Sequence, residues 1–361
     1  MNKNDYIVVG LMSGTSLDGL DVALCHFSKQ EKWQFEIIAA KTFDYLPQWK
    51  QKLKSVMDGT ALEISLLHIE LGKLHGEYVK EFLKNRKEVV DFISSHGHTV
   101  FHQPEKGLTL QIGSAAHITA ITGFPVVADF RALDVALGGQ GAPLVPIGDL
   151  LLFAEYDYCL NLGGIANISF HQNGKRLAMD ICPCNMPLNV LASELGLEYD
   201  QNGNVARGGN IDSLLLTKLN ALNFYHKAPP KSLGKEFFDA DFCHILNTSI
   251  NQTNNKLRTC VEHIAQQIAA VVEHHPQRKM LVTGGGAFNT YLIEKIRELA
   301  AIELVIPDIQ IIQYKEALIF AFLGVLRWRG EANCLSSVTG AMRDNCGGIV
   351  CNPLLVQSLY K

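Results

Sequence analysis

Residues 7–25 read Ile-Val-Val-Gly-Leu-Met-Ser-Gly-Thr-Ser-Leu-Asp-Gly-Leu-Asp-Val-Ala-Leu-Cys. Two apolar runs, residues 7–12 and 20–25, flank a short polar stretch that ends in Asp18-Gly19. An Asp-Gly pair between two strand-like runs is the strongest local signal for a β-hairpin. We therefore predict that the chain opens with two antiparallel strands.

The tip of this hairpin is richer in polar groups than a turn requires. Gly14 lets an anion approach the backbone, and successive N–H groups in a tight turn form an anion-binding nest. Thr15 and Ser16 add hydroxyl donors, and Asp18 and Asp21 offer oxygen ligands for a hydrated Mg²⁺. These residues predict a phosphate site, while an ordinary hairpin with a polar tip is the alternative.

Length and composition describe a folded protein of more than one domain. The chain has 361 residues, of which 47% are hydrophobic and 19% charged, and this length exceeds that of a typical single core. The formal net charge of −4 argues against a nucleic-acid partner. The first residues lack a signal-peptide pattern, and no run of about 20 apolar residues is evident. We expect a cytoplasmic protein without a membrane partner.

The cysteines and histidines do not form a recognisable metal motif. Nine cysteines in a chain of this size do not indicate a disulfide framework. Cys182-Pro-Cys184 and the Cys346/Cys351 pair lack the spacing of a zinc knuckle. A cluster of histidines at 96, 98 and 102 lacks an evident third ligand on one face, so we favour a structural role or one in lining the site.

The order of elements repeats once along the chain. Segments starting near residues 6 and 157 each read as strand, polar Gly turn, strand, strand, and then continue into helices. This weak internal symmetry predicts two similar α/β domains that face each other across a ligand cleft. We assign residues 1–130 to the first domain and 131–329 to the second, with part of 330–361 as an optional addition to the first.

Three Gly-rich turns follow predicted strands: Gly14-Thr15-Ser16, Gly163-Gly164 and Gly284-Gly285-Gly286. The sequence contains neither a P-loop motif nor a G-x-G-x-x-G motif after a strand, which argues against the two common nucleotide-binding patterns. The turns fit another arrangement, in which two hairpins hold phosphates from opposite sides. The triple glycine would then leave room for the base and ribose.

Several long motifs occur in order along the chain and resemble those of one family, the anhydro-N-acetylmuramic acid kinases of the hexokinase–actin superfamily. The resemblance covers nearly the whole sequence. The motifs are Gly10-Leu-Met-Ser-Gly-Thr-Ser-Leu-Asp-Gly19, Ser95-His-Gly-His-Thr99, Asp129-Phe-Arg131, Gly138-Gly-Gln-Gly-Ala-Pro-Leu144, Asn161-Leu-Gly-Gly-Ile-Ala-Asn167 and Gly284-Gly-Gly286.

This resemblance implies a fold, an activity and an ATP site. The fold is two ribonuclease-H-like domains of the actin-like ATPase type around a central nucleotide cleft. The activity is hydrolysis of the 1,6-anhydro bridge of 1,6-anhydro-N-acetylmuramic acid with phosphorylation of O6, giving N-acetylmuramic acid 6-phosphate in peptidoglycan recycling. ATP and Mg²⁺ are the implied cofactors. The implied ATP-binding residues are Gly14, Thr15, Ser16, Leu17, Asp18, Gly19, Leu20, Asp21, Gly163, Gly164, Gly284, Gly285 and Gly286.

The same resemblance assigns Asp180 as the catalytic base that deprotonates the attacking water. Arg131 is a candidate for the lactyl carboxylate of the sugar, because its guanidinium suits bidentate recognition. Thr99 and Glu316 occupy motif positions expected to face the sugar. Three of these residues also have a structural alternative. Asp180 could be a turn former, Arg131 the partner of a nearby aspartate, and Glu316 a favourable charge at a helix N-terminus.

This sequence departs from the family pattern at four places. Cys182 replaces a glycine after Asp180, His98 replaces a glutamine and Asp149 stands where histidine is common. Lys231-Ser-Leu-Gly-Lys235 replaces the more usual Lys-Ser-Thr-Gly-Arg. Alternative functions are therefore a kinase for another amino sugar or a nucleotide-gated binding or regulatory protein. We expect a small amino sugar and ATP as partners, and a homodimer is left open.

Overall fold

The computed structural model describes residues 3–14, 17–229 and 231–353. The chain divides into two compact units, one made of Met1–Leu152 with Tyr314–Lys361 and the other of Phe153–Gln313. These limits differ from the predicted boundaries, because residues 131–152 and 314–329 belong to the first unit. Residues 131–152 are tied there by Asp134, whose buried carboxylate accepts hydrogen bonds from Thr339 Oγ1 at 2.9 Å and Asn345 Nδ2 at 2.7 Å.

Both units contain strands and helices. The strands are β1 Asp5–Met12, β2 Gly19–Lys29, β3 Trp33–Asp44, β4 Phe92–Ser95, β5 His98–Gln103, β6 Leu108–Ile112, β7 Val126–Ala128, β8 Tyr158–Leu162, β9 Ile165–Gln172, β10 Lys175–Pro183, β11 Lys279–Thr283, β12 Glu303–Val305 and β13 Ile349–Cys351. The helices are α1 Pro47–Ser55, α2 Ala61–Leu83, α3 Ala115–Thr122, α4 Ala132–Ala136, α5 Val145–Leu152, α6 Asn185–Glu194, α7 Asn204–Arg207, α8 Ser213–Asn220, α9 Lys235–Phe237, α10 Cys243–Thr248, α11 Thr253–Ala269, α12 Thr290–Ala300, α13 Ile309–Arg329 and α14 Ser336–Thr339.

The main sheets of the two units have the same topology. In the first unit the strand order is β13-β7-β4-β1-β2-β3, with β1, β2 and β3 antiparallel and β4 and β7 parallel to β1. In the second unit the order is β10-β9-β8-β11-β12, with three antiparallel strands followed by two parallel ones. This shared order is ribonuclease-H-like. The predicted fold class and the predicted repeat of element order are therefore confirmed.

Each unit has its own hydrophobic core. The core of the first unit includes Val9 and Leu11 of β1 and Leu71 of α2. The core of the second unit includes Leu160 of β8 and Ile264 of α11. Burial of side chains from both strands and helices is the main favourable term in holding each sheet to its helices.

Helix α13 is long and apolar enough to cross a membrane, judged by length and composition, although the sequence analysis found no such apolar run. Most of the apolar part of this helix is buried inside the structure. From Tyr314 onward it belongs to the first unit, where Phe322 lies 5.4 Å from Phe27 and 5.0 Å from Trp33, measured between ring centroids. A Cβ at Gly10 would lie 2.1 Å from the Ala317 carbonyl oxygen. Gly10 is therefore required for close packing of this helix on β1.

Candidate active site

The first polar turn connects β1 to β2, as predicted, but it is longer than an Asp-Gly hairpin turn. Met12 pairs with Asp21, so the connection runs from Ser13 to Asp18. Thr15 and Ser16, two of the predicted phosphate-binding residues, lie outside the described residues. The sequence signal found the hairpin correctly, but Asp18-Gly19 is not the whole turn, since β1 ends at Met12 and β2 begins at Gly19.

Packing within the first unit explains Leu17, Gly19 and Leu20 of the predicted ATP-binding segment. Leu17 has a φ of 61°, in the left-handed region that leucine rarely adopts, and its side chain packs against the core. Leu20 is fully buried in that core, so its side chain is not available to a nucleotide. A Cβ at Gly19 would lie 2.4 Å from the Phe43 carbonyl oxygen, which explains this glycine by the approach of β3.

Three carboxyl groups of the first unit interact electrostatically. Desolvation raises the pKa of Asp21, and the neighbouring Asp18 carboxylate raises it further, although a 2.6 Å hydrogen bond from Thr42 Oγ1 lowers it. Asp21 in turn contributes to the raised pKa of Glu316, whose main cause is desolvation. The structure thus brings together the two predicted Mg²⁺ ligands and the predicted sugar-binding glutamate.

The chemistry of Asp18 and Asp21 fits a hydrated magnesium ion. Mg²⁺ is usually bound through one or two carboxylates, with waters and substrate phosphates completing the octahedron. The described residues contain no group of three or more Asp, Glu, His or Cys side chains that could hold a metal alone. Two mutually repelling carboxylates therefore fit an ion that is shared with a bound phosphate.

Arg131 is held rigidly by two of the sequence motifs. Its Nε and Nη2 lie 3.1 and 2.9 Å from His96 Nε2, and its Nη1 donates to the Gly141 carbonyl at 2.7 Å. His96 Nδ1 lies 2.9 Å from the Gly97 carbonyl, so the ring donates there and accepts from Arg131 through Nε2. Desolvation lowers the pKa of Arg131 to about 10, so the guanidinium stays charged at neutral pH.

This arrangement explains the histidine cluster without a metal. Desolvation and the adjacent Arg131 charge keep the pKa of His96 well below its ordinary value, so the ring is neutral and accepts from the guanidinium. His98 Nδ1 lies 3.3 Å from Ser13 Oγ, and His102 Nδ1 lies 3.1 Å from Thr109 Oγ1. Each of the three rings therefore has a hydrogen-bond partner in the protein. The alternative pairing of Arg131 with an aspartate is not the arrangement seen.

Glu316 lies on α13 next to a buried ion pair. The Lys315 Nζ is 2.7 Å from Asp149 Oδ1, and both side chains are almost fully buried. Glu316 itself reaches solvent, but protein atoms surround it closely, and the resulting desolvation raises its pKa against the lowering effects of Arg131 and Lys315. Asp149, the departure from the more common histidine, is thus explained by the lysine that it neutralises.

Thr99 lies on β5, directly after the strand residue His98. It pairs with Gln111 of β6, whose Nε2 is 3.4 Å from Thr99 Oγ1. The ladder shifts register between Thr99 and Phe101, which marks a β-bulge. The sequence analysis missed this two-stranded ribbon, although β6 alternates apolar and polar residues (Leu108-Thr-Leu-Gln-Ile112) and follows a turn at Gly107, and this pattern could have identified it.

Asp180 lies at a β-bulge near the end of β10 in the second unit. It pairs with Asn167, but the register then shifts so that Cys182 pairs with Ala166 and Ile181 is the extra residue. Its carboxylate Oδ2 accepts a 2.7 Å hydrogen bond from the Leu233 N–H, and its own N–H donates to the Lys231 carbonyl at 3.0 Å. Desolvation raises the pKa of Asp180, opposed by the Leu233 hydrogen bond.

The Lys231–Lys235 departure leaves this contact intact. Because the bond to Asp180 comes from the backbone N–H of residue 233, leucine in place of threonine still supplies it. Lys231 Nζ is 3.3 and 3.4 Å from the carbonyls of Phe224 and Tyr225, which fixes the start of the segment. Sequence reasoning noted this motif but did not place it beside Asp180, because the two are far apart along the chain.

The two Gly turns of the second unit come together around Asn185. Its Nδ2 donates to the Leu162 carbonyl at 2.9 Å, and its backbone N–H donates to the Gly163 carbonyl at 3.1 Å. The Cys184 N–H donates to the Gly164 carbonyl at 2.8 Å. Asn185 is therefore fixed to the Gly163-Gly164 turn.

The triple glycine packs on the same strand end. Gly284 has a φ of 82°, and a Cβ there would lie 2.6 Å from Asn161 Oδ1. A Cβ at Gly286 would lie 2.7 Å from the Leu162 Cβ. At Gly285 it would meet only Asn185 Nδ2, at 3.6 Å. Packing thus explains two of the three glycines, and Gly285 is the one that leaves room for a ligand.

Cys182 is part of the core and is fully buried among apolar side chains of the second unit. Burial raises the pKa of its thiol well above the ordinary value, with smaller contributions from Cys184 and Cys260. The thiol is therefore protonated and acts as a small apolar side chain. It does not share the partly exposed environment of Asp180.

Over nearly its whole length the chain is similar to proteins of one family. A family model described as anhydro-N-acetylmuramic acid kinase matches residues 6–353. The anhydro-N-acetylmuramic acid kinase of Vibrio cholerae is 36% identical over 96% of this chain and 98% of its own. That of Pseudoalteromonas translucida is 34% identical over 81% of each chain. Among solved structures, a ligand-bound xylulose kinase from Lactobacillus acidophilus has a TM-score of 0.46, with 11% identity and 89% coverage of each chain.

Proposed function

Because the chain belongs to the anhydro-N-acetylmuramic acid kinase family, we propose that it uses ATP to convert 1,6-anhydro-N-acetylmuramic acid into N-acetylmuramic acid 6-phosphate. Water opens the anhydro bridge and the γ-phosphoryl group of ATP is transferred to O6. The observation that carries the proposal is Asp180: a partly exposed carboxyl at a β-bulge, held by the Leu233 N–H, with a raised pKa.

Asp180 supplies the base that bridge hydrolysis needs. A water that attacks the anomeric carbon must lose a proton, and a carboxylate with a raised pKa is a better acceptor at neutral pH than an ordinary one. The C1–O6 bond breaks as the water oxygen bonds to C1, and O6 takes the electron pair. O6 then bonds to the γ-phosphorus, ADP leaves, and the proton from water remains on Asp180 until solvent removes it.

The remaining residues bind and orient the substrates. Arg131, held by His96 and Gly141, offers a preorganised guanidinium for the lactyl carboxylate of the sugar. Glu316 and Thr99 would bind the sugar hydroxyl groups. The turn from Gly14 to Asp21 and the Gly163-Gly164 turn would bind the phosphates of ATP, and Gly285 would face the nucleoside. Positioning of this kind is the main contribution of protein to phosphoryl transfer.

Asp18 and Asp21 would hold the magnesium ion of Mg-ATP. When bound, the ion neutralises phosphate charge and relieves the repulsion between the two carboxylates.

Because the proposed activity uses ATP and an amino sugar, it belongs in the cytoplasm, as part of peptidoglycan recycling. The buried position of Cys182 supports an active kinase over a binding protein, because the thiol leaves the surroundings of Asp180 free for water.

The test is ADP release with Mg-ATP and 1,6-anhydro-N-acetylmuramic acid, run beside N-acetylmuramic acid and N-acetylglucosamine. We expect turnover with the anhydro sugar alone, and a product mass that includes one water and one phosphoryl group. Turnover with N-acetylglucosamine instead would indicate a kinase for another amino sugar. Binding of ATP with no turnover on any of the three would indicate a nucleotide-gated binding protein.

A further inference from the structure

A single buried tyrosine contacts both ends of the first polar turn. Tyr45, which directly follows β3, is 2% exposed. Its backbone N–H donates to the Asp18 carbonyl at 3.0 Å, and its hydroxyl donates to Ser13 Oγ at 2.9 Å. Ser13 follows β1 and Asp18 precedes β2. One residue therefore fixes the start and the end of the segment that carries Gly14.

The hydroxyl of Tyr45 belongs to a longer buried chain of hydrogen bonds. His75 Nε2 on α2 lies 2.9 Å from Tyr45 Oη, and Ser13 Oγ lies 3.3 Å from His98 Nδ1. His75 Nδ1 has no hydrogen-bond partner among the described residues. The chain of hydrogen bonds thus ends at the buried Nδ1 of His75 on one side. On the other side it reaches His98, two residues after the His96 that supports Arg131.

The unpartnered nitrogen determines the direction of the chain. A buried N–H without an acceptor costs more than a bare ring nitrogen, so His75 carries its proton on Nε2 and donates it to Tyr45. Tyr45 then donates to Ser13, and Ser13 donates to His98 Nδ1. Burial raises the pKa of the tyrosine, and desolvation lowers that of His75 to about 3, so both groups are neutral at physiological pH.

We propose that Tyr45, oriented by His75, is a positioning residue for ATP: it fixes Ser13 and Asp18, the two ends of the segment proposed to bind the phosphates. The inference rests on the proposed function and deepens it. A segment whose two ends are fixed before binding loses less conformational entropy when a ligand arrives, so its affinity is higher. Tyr45 touches neither substrate and acts through the turn.

The test compares Tyr45→Phe and Ser13→Ala with the parent protein. Both substitutions remove the Tyr45–Ser13 hydrogen bond; Tyr45→Phe also removes the bond to His75, and Ser13→Ala also removes the bond to His98. Each should raise the Kd for a non-hydrolysable ATP analogue with Mg²⁺ about three- to tenfold, because the shared bond holds Ser13 to Tyr45. The KM for ATP should rise equally, while the KM for the sugar stays within about twofold. The loss of affinity in the double variant should be smaller than the sum of the two single losses, since both substitutions remove the shared Tyr45–Ser13 bond.

Tyr6→Phe is the matched control. Tyr6 is also a buried tyrosine of the first sheet, but its hydroxyl lies 3.5 Å from Arg329 and far along β1 from the turn. It should leave the affinity for the analogue unchanged. Should Tyr45→Phe fail to fold in a thermal melt, Ser13→Ala alone decides the question.

Unchanged affinity in both single variants would overturn the inference, and so would an equal loss of affinity for ATP and sugar. Additive losses in the double variant would also overturn it. Failure of the proposed function is a separate result: a parent protein that binds the analogue without phosphorylating the anhydro sugar. Binding of the analogue can still test Tyr45 in that case.

Discussion

Asp180 shows how much a single residue depends on neighbours that are distant in sequence. A carboxylate near a strand end is commonly a turn former, and its family motif alone assigned it as a base. The structure adds a bulge that alters the direction of the side chain and a backbone donor from residue 233. Neither is visible in the residues around position 180.

Asp180→Asn should lower kcat at least about a hundredfold, the usual contribution of a positioned base. The amide keeps the shape and can still accept the Leu233 N–H, so the Kd for the ATP analogue should not change. Asp239→Asn, at an exposed acid of the same unit, is the control and should retain full turnover. Near-normal kcat in Asp180→Asn would contradict the assignment of the base.

Cys182→Ala tests whether the cysteine in the family glycine position limits catalysis. Because the thiol is buried in the core, we expect kcat to stay within about twofold and the free energy of unfolding to fall by about 1 kcal/mol. Steady-state kinetics and urea unfolding measure the two effects. A kcat several-fold above that of the parent would show that the thiol restricts the attacking water.

Among the elements, the turns were easier to locate than to interpret. The hairpin and the three Gly-rich turns were found from local sequence, because glycine and Asp-Gly pairs mark turns. Close packing requires Gly284 and Gly286 of the third turn, and also Gly10 in β1 and Gly19 at the start of β2. Such close approaches depend on which helix or strand lies against the glycine, and this is not encoded locally.

Gly284→Ala and Gly285→Ala separate packing from ligand access. The first introduces a Cβ at a φ of 82° and 2.6 Å from Asn161 Oδ1, so it should lower the free energy of unfolding by about 1–3 kcal/mol. Gly285→Ala should change stability by less than about 0.5 kcal/mol. If Gly285 faces the nucleoside, its variant should raise the KM for ATP instead. Urea unfolding and ATP titration distinguish these outcomes, and equal stability losses would contradict the difference in packing.

For the molecule as a whole, the two units have in common a deeply buried, neutral histidine that is hydrogen-bonded to a tyrosine hydroxyl. Desolvation lowers the pKa of His75 in the first unit and of His263 in the second to about 3. Each ring is fixed by a tyrosine hydroxyl, Tyr45 in one case and Tyr225 at 2.9 Å in the other. The two units thus share a buried histidine–tyrosine hydrogen bond as well as a strand order.

These histidines predict a loss of stability in mild acid. An unfolded histidine binds a proton near pH 6.5 and the native one near pH 3, so the unfolded state holds more protons between these values. The free energy of unfolding therefore falls as pH decreases below about 6.5, by about 1.4 kcal/mol per pH unit for each histidine.

Urea unfolding at pH 7.5 and 5.5 measures the mean slope between these values. His263→Gln should reduce the difference in the free energy of unfolding by about 1.4 kcal/mol, which is about half a proton averaged over the two pH units. Exposed His171 provides the control, since His171→Gln should leave the slope unchanged. A slope that is the same in His263→Gln and in the parent would contradict a neutral buried ring at this position.

Local sequence alone determined the strand–turn–strand starts of both units and the repeat of their element order. These follow from periodicity and turn chemistry, which act over a few residues, whereas Asp180, Arg131, Thr99 and Glu316 were proposed as site residues from the resemblance of their motifs to one family. Only the tertiary structure decided where the units divide, that His96 and Gly141 support Arg131, that Cys182 faces the core, and that Tyr45 contacts both Ser13 and Asp18 at the ends of the first polar turn. The physical reason is that these features arise from contacts between residues far apart in the chain, whose partners are selected by packing of the whole unit.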